Sequence, residues 1–194
     1  MSGEQLFLPF EAPLHGLDRL FFAILSPADT AVQIAERIRF FRVEHDLKGH
    51  PIAPERLHVS LHGLGDHPRL PETLFGQARG AAASVAMPLF EIEFDRVVSF
   101  GEKAKKRPFV LRVGRDGTPL KTFHRLLGEA MKKAGLGRWV APHFTPHMTL
   151  LYDNRVVKER AIDPIRLTVR NFALVQSLLG RSRYIEVARW PLCG

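Results

Sequence analysis

Residues 54–65 read PERLHVSLHGLG, and residues 144–153 read FTPHMTLLYD. The two stretches share one pattern, His58-Val59-Ser60-Leu61 and His147-Met148-Thr149-Leu150, repeated at a distance of 89 residues. Each copy lies in a short apolar run bounded by Pro or Gly, which reads as a β-strand. Side chains two apart on a strand share a face. His58 therefore projects with Ser60, and His147 with Thr149, while Val59, Leu61, Met148 and Leu150 turn to the other side. Either motif alone is equally well a core histidine beside a satisfied hydroxyl. Two of them at a fixed spacing predict a pair of strands that present two imidazoles and two hydroxyls to a common cleft.

Outward from the motifs, the flanking segments match in outline. RLFFAIL (Arg19–Leu25) is an apolar strand 37 residues ahead of His58, and PFVLRV (Pro108–Val113) is another, with Val110 37 residues ahead of His147. Between strand and motif each half carries a helical pattern. Ala28–Glu44 places Ala31, Ile34, Ala35, Ile38 and Phe41 at three-to-four spacing, and Thr118–Ala134 does so with Leu120, Phe123, Leu127, Ala130 and Met131. Phe90–Phe100 shifts by the same 89 residues onto Leu179–Arg189, a further strand candidate. The pattern predicts an α+β protein of two pseudo-symmetric lobes. Each lobe is an antiparallel-rich sheet with helices on its outer face, and the cleft lies between them. Residues 19–194 form one bilobal domain by this reading, and residues 1–18, interrupted by Pro9 and Pro13, precede it as an extended arm.

The chain resembles the two-histidine (2H) phosphoesterases, and among them the RNA 2′,3′-cyclic phosphodiesterases also called 2′-5′ RNA ligases. The resemblance rests on RLFFAILSP, PERLHVSL, FTPHMTL and the closing LVQSLLGRSRYIEVARWPL, which together span residues 19–192. Two departures stand out: Ser60 where the family more often has threonine, and GHPIAPERLH without the tryptophan often found before the first motif. The first keeps the hydroxyl; the second bears on subfamily and substrate. The resemblance implies hydrolysis of 2′,3′-cyclic phosphates to a 2′-phosphate, with His58 as acid and His147 as base. Such acid–base chemistry needs no metal, no carboxylate cluster demands one, and no cofactor is expected.

Histidine suits both roles because its unperturbed pKa of about 6.5 lies near neutrality. Ser60 and Thr149 would donate hydrogen bonds to the non-bridging phosphoryl oxygens. A non-catalytic RNA or nucleotide binder, and an RNA ligase running the reverse reaction, are alternatives at the same site. The formal net charge of +8 favours an anionic partner such as an RNA end or a cyclic nucleotide. The single cysteine, Cys193, excludes an internal disulfide and a cysteine zinc cage, and fits a reducing cytoplasm. No apolar run reaches membrane-spanning length, so no membrane partner is expected.

Other residues are weaker candidates. Lys103, Lys105, Lys106 and Arg107 in GEKAKKRP either form a solvated turn or hold RNA phosphates. Arg138 and Trp139 offer a cation and a stacking plane, or close the core at a strand start. Arg181 and Arg183 in the GRSRY turn are lesser choices. His62 reads as a strand-end position near solvent that could line the cleft, and His143 as outlying support for the site. His124 reads as structural or solvated. Tyr152 alternates away from His147 and is expected to be buried. QLFLPF (Gln5–Phe10) packs on the body, or resembles the peptide by which bacterial partners dock on the replication sliding clamp.

Overall fold

The computed structural model describes residues 17–101, 106–114 and 117–193. The arm with its clamp-like peptide, and Lys103 and Lys105, lie outside the described residues. In chain order the elements are β1 (Asp18–Leu25), α1 (Ala28–Glu44), β2 (His58–His67), α2 (Glu72–Ala83), β3 (Phe90–Ser99) and β4 (Arg107–Val113). There follow α3 (Thr118–Lys133), β5 (His147–Asp153), β6 (Arg160–Val169), β7 (Asn171–Leu178) and β8 (Arg183–Pro191). They build two four-stranded sheets, ordered β2-β1-β7-β8 and β5-β4-β3-β6. Every neighbouring pair is antiparallel.

The helices form at the segments of three-to-four apolar periodicity. In α1, Ala31, Ile34, Ile38 and Phe41 are buried on one face. The helix ends where Asp46 takes a left-handed φ of 50°. In α3, Pro119 sits in the first turn, where a missing N–H costs nothing, and Lys132 and Lys133 stand in the last turn against the helix dipole. Gly135 then takes a positive φ of 82°, which a side chain would resist. One hydrophobic cluster runs through both sheets. Phe123 of α3 joins them, its ring 5.0 Å from Phe172 of β7 and 5.9 Å from Phe90 of β3.

The 89-residue offset holds for the motif strands and fails beyond them. Ser60 pairs with Ala23, whereas Thr149 pairs with Val110. Val110 is thus the counterpart of Ala23, 87 residues apart, and the equal 37-residue spacings do not mark equivalent positions. The expected match of Phe90–Phe100 with Leu179–Arg189 is also overturned, because Leu179–Ser182 is the turn between β7 and β8. Pairing identifies β7 as the counterpart of β3. Ala23 pairs with Ala173 in one sheet and Val110 with Val98 in the other. The first half therefore hands β3 to the other half's sheet, and the second half hands β7 and β8 to the first half's sheet, which ties the lobes together.

Candidate active site

Both motif strands are bulged just past the hydroxyl. On β2, Ser60 faces Ala23 but Gly63 faces Phe21, so two residues oppose one. On β5, Thr149 faces Val110 and Leu151 faces Phe109, with Leu150 left over. A β-bulge resets the alternation of side chains beyond it. Leu61 and His62 are consecutively buried, as are Leu150 and Leu151, and Gly63 and Tyr152 return to the face of the motifs.

The two histidines are held alike. His58 Nδ1 lies 2.7 Å from the carbonyl oxygen of Arg56, and His147 Nδ1 lies 2.7 Å from that of Thr145. A carbonyl only accepts, so each Nδ1 carries the proton and donates it. Nε2 is then the atom that changes protonation in both rings. On His58 it meets Ser60 Oγ at 3.1 Å. Phe21 at 5.3 Å and Tyr184 at 5.4 Å flank the His58 ring, and Phe100 at 5.0 Å flanks His147.

Desolvation among these rings lowers the pKa of His58 to about 4, opposed by the bond to Arg56 O and reinforced by the charges of His147 and Arg56. His147 is also lowered by desolvation, against its bond to Thr145 O. A proton on either imidazole therefore disfavours one on the other. Burial thus favours the neutral form of both imidazoles.

Around the pair stand residues without a signal in the sequence pattern. The Arg56 guanidinium covers the Tyr184 ring at 4.8 Å. Arg112 lies directly across the strand pair from His147 and bonds Glu159. Tyr152, expected to be buried, is 43% exposed on the cleft face. Desolvation and the nearby Tyr184 hydroxyl raise its pKa despite Arg19 and Arg56. The doubled leucine in HMTLLYD is the sequence signal for this, since strict alternation would not set two buried residues in a row.

One expectation is corrected, and the other candidates take the following places. His62 lines no cleft: it is 1% exposed, and its Nε2 lies 3.0 Å from the carbonyl oxygen of His124. His124 takes the structural alternative, 7% exposed and stacked at 4.1 Å on Phe144. His143 is exposed. Trp139 packs against the core and crowds Gly65, where an added Cβ would lie 2.4 Å from the indole. Gly65 is seven residues beyond His58 on the strand, about 20 Å away, so Arg138, stacked on Trp139 at 4.7 Å, and Trp139 itself stand apart from the pair. Arg107 spends donors on the carbonyls of Gly101 at 2.7 Å and Asn154 at 2.8 Å, bracing the β3–β4 connection. Arg181 and Arg183 are exposed at the β7–β8 turn. Among the described residues no three His, Cys, Asp or Glu converge as metal ligands, and no helix is long and apolar enough to cross a membrane.

Known proteins share this fold. Residues 27–181 match the family model described as the 2′-5′ RNA ligase superfamily. No curated protein matches the chain in sequence. Escherichia coli LigT in apo form is similar, with a TM-score of 0.68 at 27% identity, covering 92% of this chain and 99% of that one. LigT complexed with 3′-AMP gives 0.68 at 28% identity with the same coverage. TT0787 of Thermus thermophilus shares the fold, with a TM-score of 0.70 at 22% identity over 91% of this chain and 98% of that one. With paired histidine strands in two exchanged sheets, and the family model matched over most of its length, the chain belongs to the 2′-5′ RNA ligase superfamily.

Proposed function

We propose that the protein hydrolyses 2′,3′-cyclic phosphates at RNA ends or on nucleotides, giving the 2′-phosphate, by acid–base catalysis with His58 and His147 and without a metal. The observation that carries the reading is the shared Nδ1 anchor, which leaves Nε2 of both histidines as the proton-exchanging atom, on His58 within reach of Ser60 Oγ. Water attacks phosphorus in line while one Nε2 takes its proton. The bond to one ribose oxygen breaks as the other Nε2 supplies a proton to it. Ser60 and Thr149 donate hydrogen bonds to the non-bridging oxygens, where charge is held in the transition state. An acid histidine loads its proton when the anionic phosphate arrives, because a nearby negative charge opposes desolvation.

LigT has been crystallised with 3′-AMP, which supports a nucleotide in this cleft. The test is turnover of a nucleoside 2′,3′-cyclic phosphate in EDTA by wild type, His58→Ala and His147→Ala. Wild-type turnover, lost in both variants, supports the proposal. Tight binding with no wild-type turnover would leave a nucleotide-binding protein instead.

A further inference from the structure

We propose that Tyr152 is the platform on which the nucleobase of the substrate stacks, so that the cleft selects nucleotides above smaller cyclic phosphates. This rests on the hydrolytic reading above. The bulge at Leu150 brings Tyr152 onto the face of His147 and Thr149. It lies three residues past Thr149, about 10 Å along the strand, a span from a ribose-bound phosphate across the sugar to its base.

Three features single out this ring. Tyr152 keeps 43% of its surface exposed on an otherwise well-packed strand. The bulge gives it the face of the motif residues, where the charges of Arg19 and Arg56 and the Tyr184 hydroxyl, all carried by the other lobe, act on its phenol. Tyr184, the other tyrosine near the pair, already has Arg56 over its face and turns toward His58 and Phe21 at steep angles.

The counterpart of Tyr152 in the first motif strand is Gly63, at the same place after its own bulge. A Cβ built on Gly63 meets nothing within 4 Å. The pseudo-symmetric cleft therefore has an aromatic plane beside one histidine strand and open space beside the other. A nucleotide whose phosphate sits between the histidines gains stacking only when its base points toward β5. Stacking on an aromatic side chain is tolerant of base identity, so the selection is for a base, not for a sequence.

The experiment measures binding and turnover separately. Adenosine 2′-monophosphate and glycerol 2-phosphate, which lacks a base, are titrated against wild type, Tyr152→Ala and Tyr152→Phe. Wild type should favour the nucleotide by about tenfold, Tyr152→Phe should keep that ratio, and Tyr152→Ala should bring it close to one. A ratio unchanged in Tyr152→Ala, or both ligands weakened equally, overturns the proposal. Wild type is also assayed with adenosine 2′,3′-cyclic phosphate and glycerol 1,2-cyclic phosphate. Equal KM values for these overturn the stacking and leave the hydrolase. No turnover of either, with the binding ratio intact, overturns the hydrolase and leaves the stacking.

Discussion

The rings of His62 and His124 lie 3.9 Å apart at 31°, deep between the lobes, with His62 Nε2 donating to the carbonyl of His124. Ala141 N–H completes the arrangement by donating to His62 Nδ1 at 3.3 Å. Both nitrogens of His62 are thus committed in its neutral form. His124 Nε2 is buried with no hydrogen-bond partner among the described residues. Protonating either ring would bury a charge beside another imidazole.

That pair makes folding acid-sensitive. Desolvation, and for His124 the adjacent His62, lower both pKa values, that of His124 to about 4. The unfolded chain, with histidine near 6.5, binds more protons than the folded one between these limits. Stability is therefore complete above pH 6.5 and falls as pH drops toward 4, by about 1.4 kcal/mol per pH unit for each histidine titrating. Denaturant titrations at pH 7, 6 and 5 should show the loss. His124→Phe, which keeps a ring against Phe144, should reduce the slope by one proton; an unaltered slope contradicts the assignment.

The proposed catalytic pair, His58 and His147, should shape the rate in the same window. Both histidines are lowered by desolvation, His58 to about 4. The free enzyme holds one proton on the pair only between the two values, so kcat/KM should be bell-shaped with its maximum below pH 6.5. Bound anionic substrate stabilises the imidazolium, so the alkaline limb of kcat should lie at higher pH than that of kcat/KM. Coincident limbs would show that the substrate's charge does not reach the pair.

How much of the fold and site is legible in the sequence depends on range. The helices α1 and α3 and the motif strands follow from local periodicity, which alone places α1 at Ala28–Glu44. His58, Ser60, His147 and Thr149 lie ahead of the bulges, where strict alternation still holds. His62 and Tyr152 lie beyond them, and one extra residue turns each to the face opposite the expected one. The exchange of β3 and β7 is a pairing choice between distant segments, and no spacing within one half encodes it. Arg56 stands in PERLH with no local signal of its role, because its stacking partner Tyr184 arrives from 128 residues away.

Ser60 and Thr149 share the motif face, half-buried beside the histidines. Loss of one oriented donor to developing charge costs about 10²-fold in kcat. Ser60→Ala and Thr149→Ala should each fall by that order with KM changed far less, while Ser60→Thr should keep most activity. Steady-state kinetics on a nucleoside 2′,3′-cyclic phosphate decide the matter. A rise in KM at constant kcat would make the hydroxyls binding groups only.

Asp153 anchors the approach to the first motif onto the second motif's strand. Its buried carboxylate accepts from the backbone N–H groups of Lys48 at 2.6 Å, Gly49 at 2.7 Å and Arg155 at 2.8 Å. From there the chain runs along β5, where Ile52 N–H donates to Leu150 O at 2.7 Å, and on to His58. Gly49 is required at the crossing, since a Cβ there would lie 2.1 Å from the carbonyl oxygen of Tyr152. Desolvation raises the Asp153 pKa, but the backbone donors outweigh it and the net shift is downward. The carboxylate's contribution is present above its unfolded pKa near 3.9 and lost as pH falls through the lower folded value. Asp153→Ala strands these donors and should cost about 1–3 kcal/mol, whereas Asp153→Asn retains an acceptor and should cost less. Equal costs in denaturant titrations at pH 7 would show that the ionised carboxylate is not what fastens the crossing.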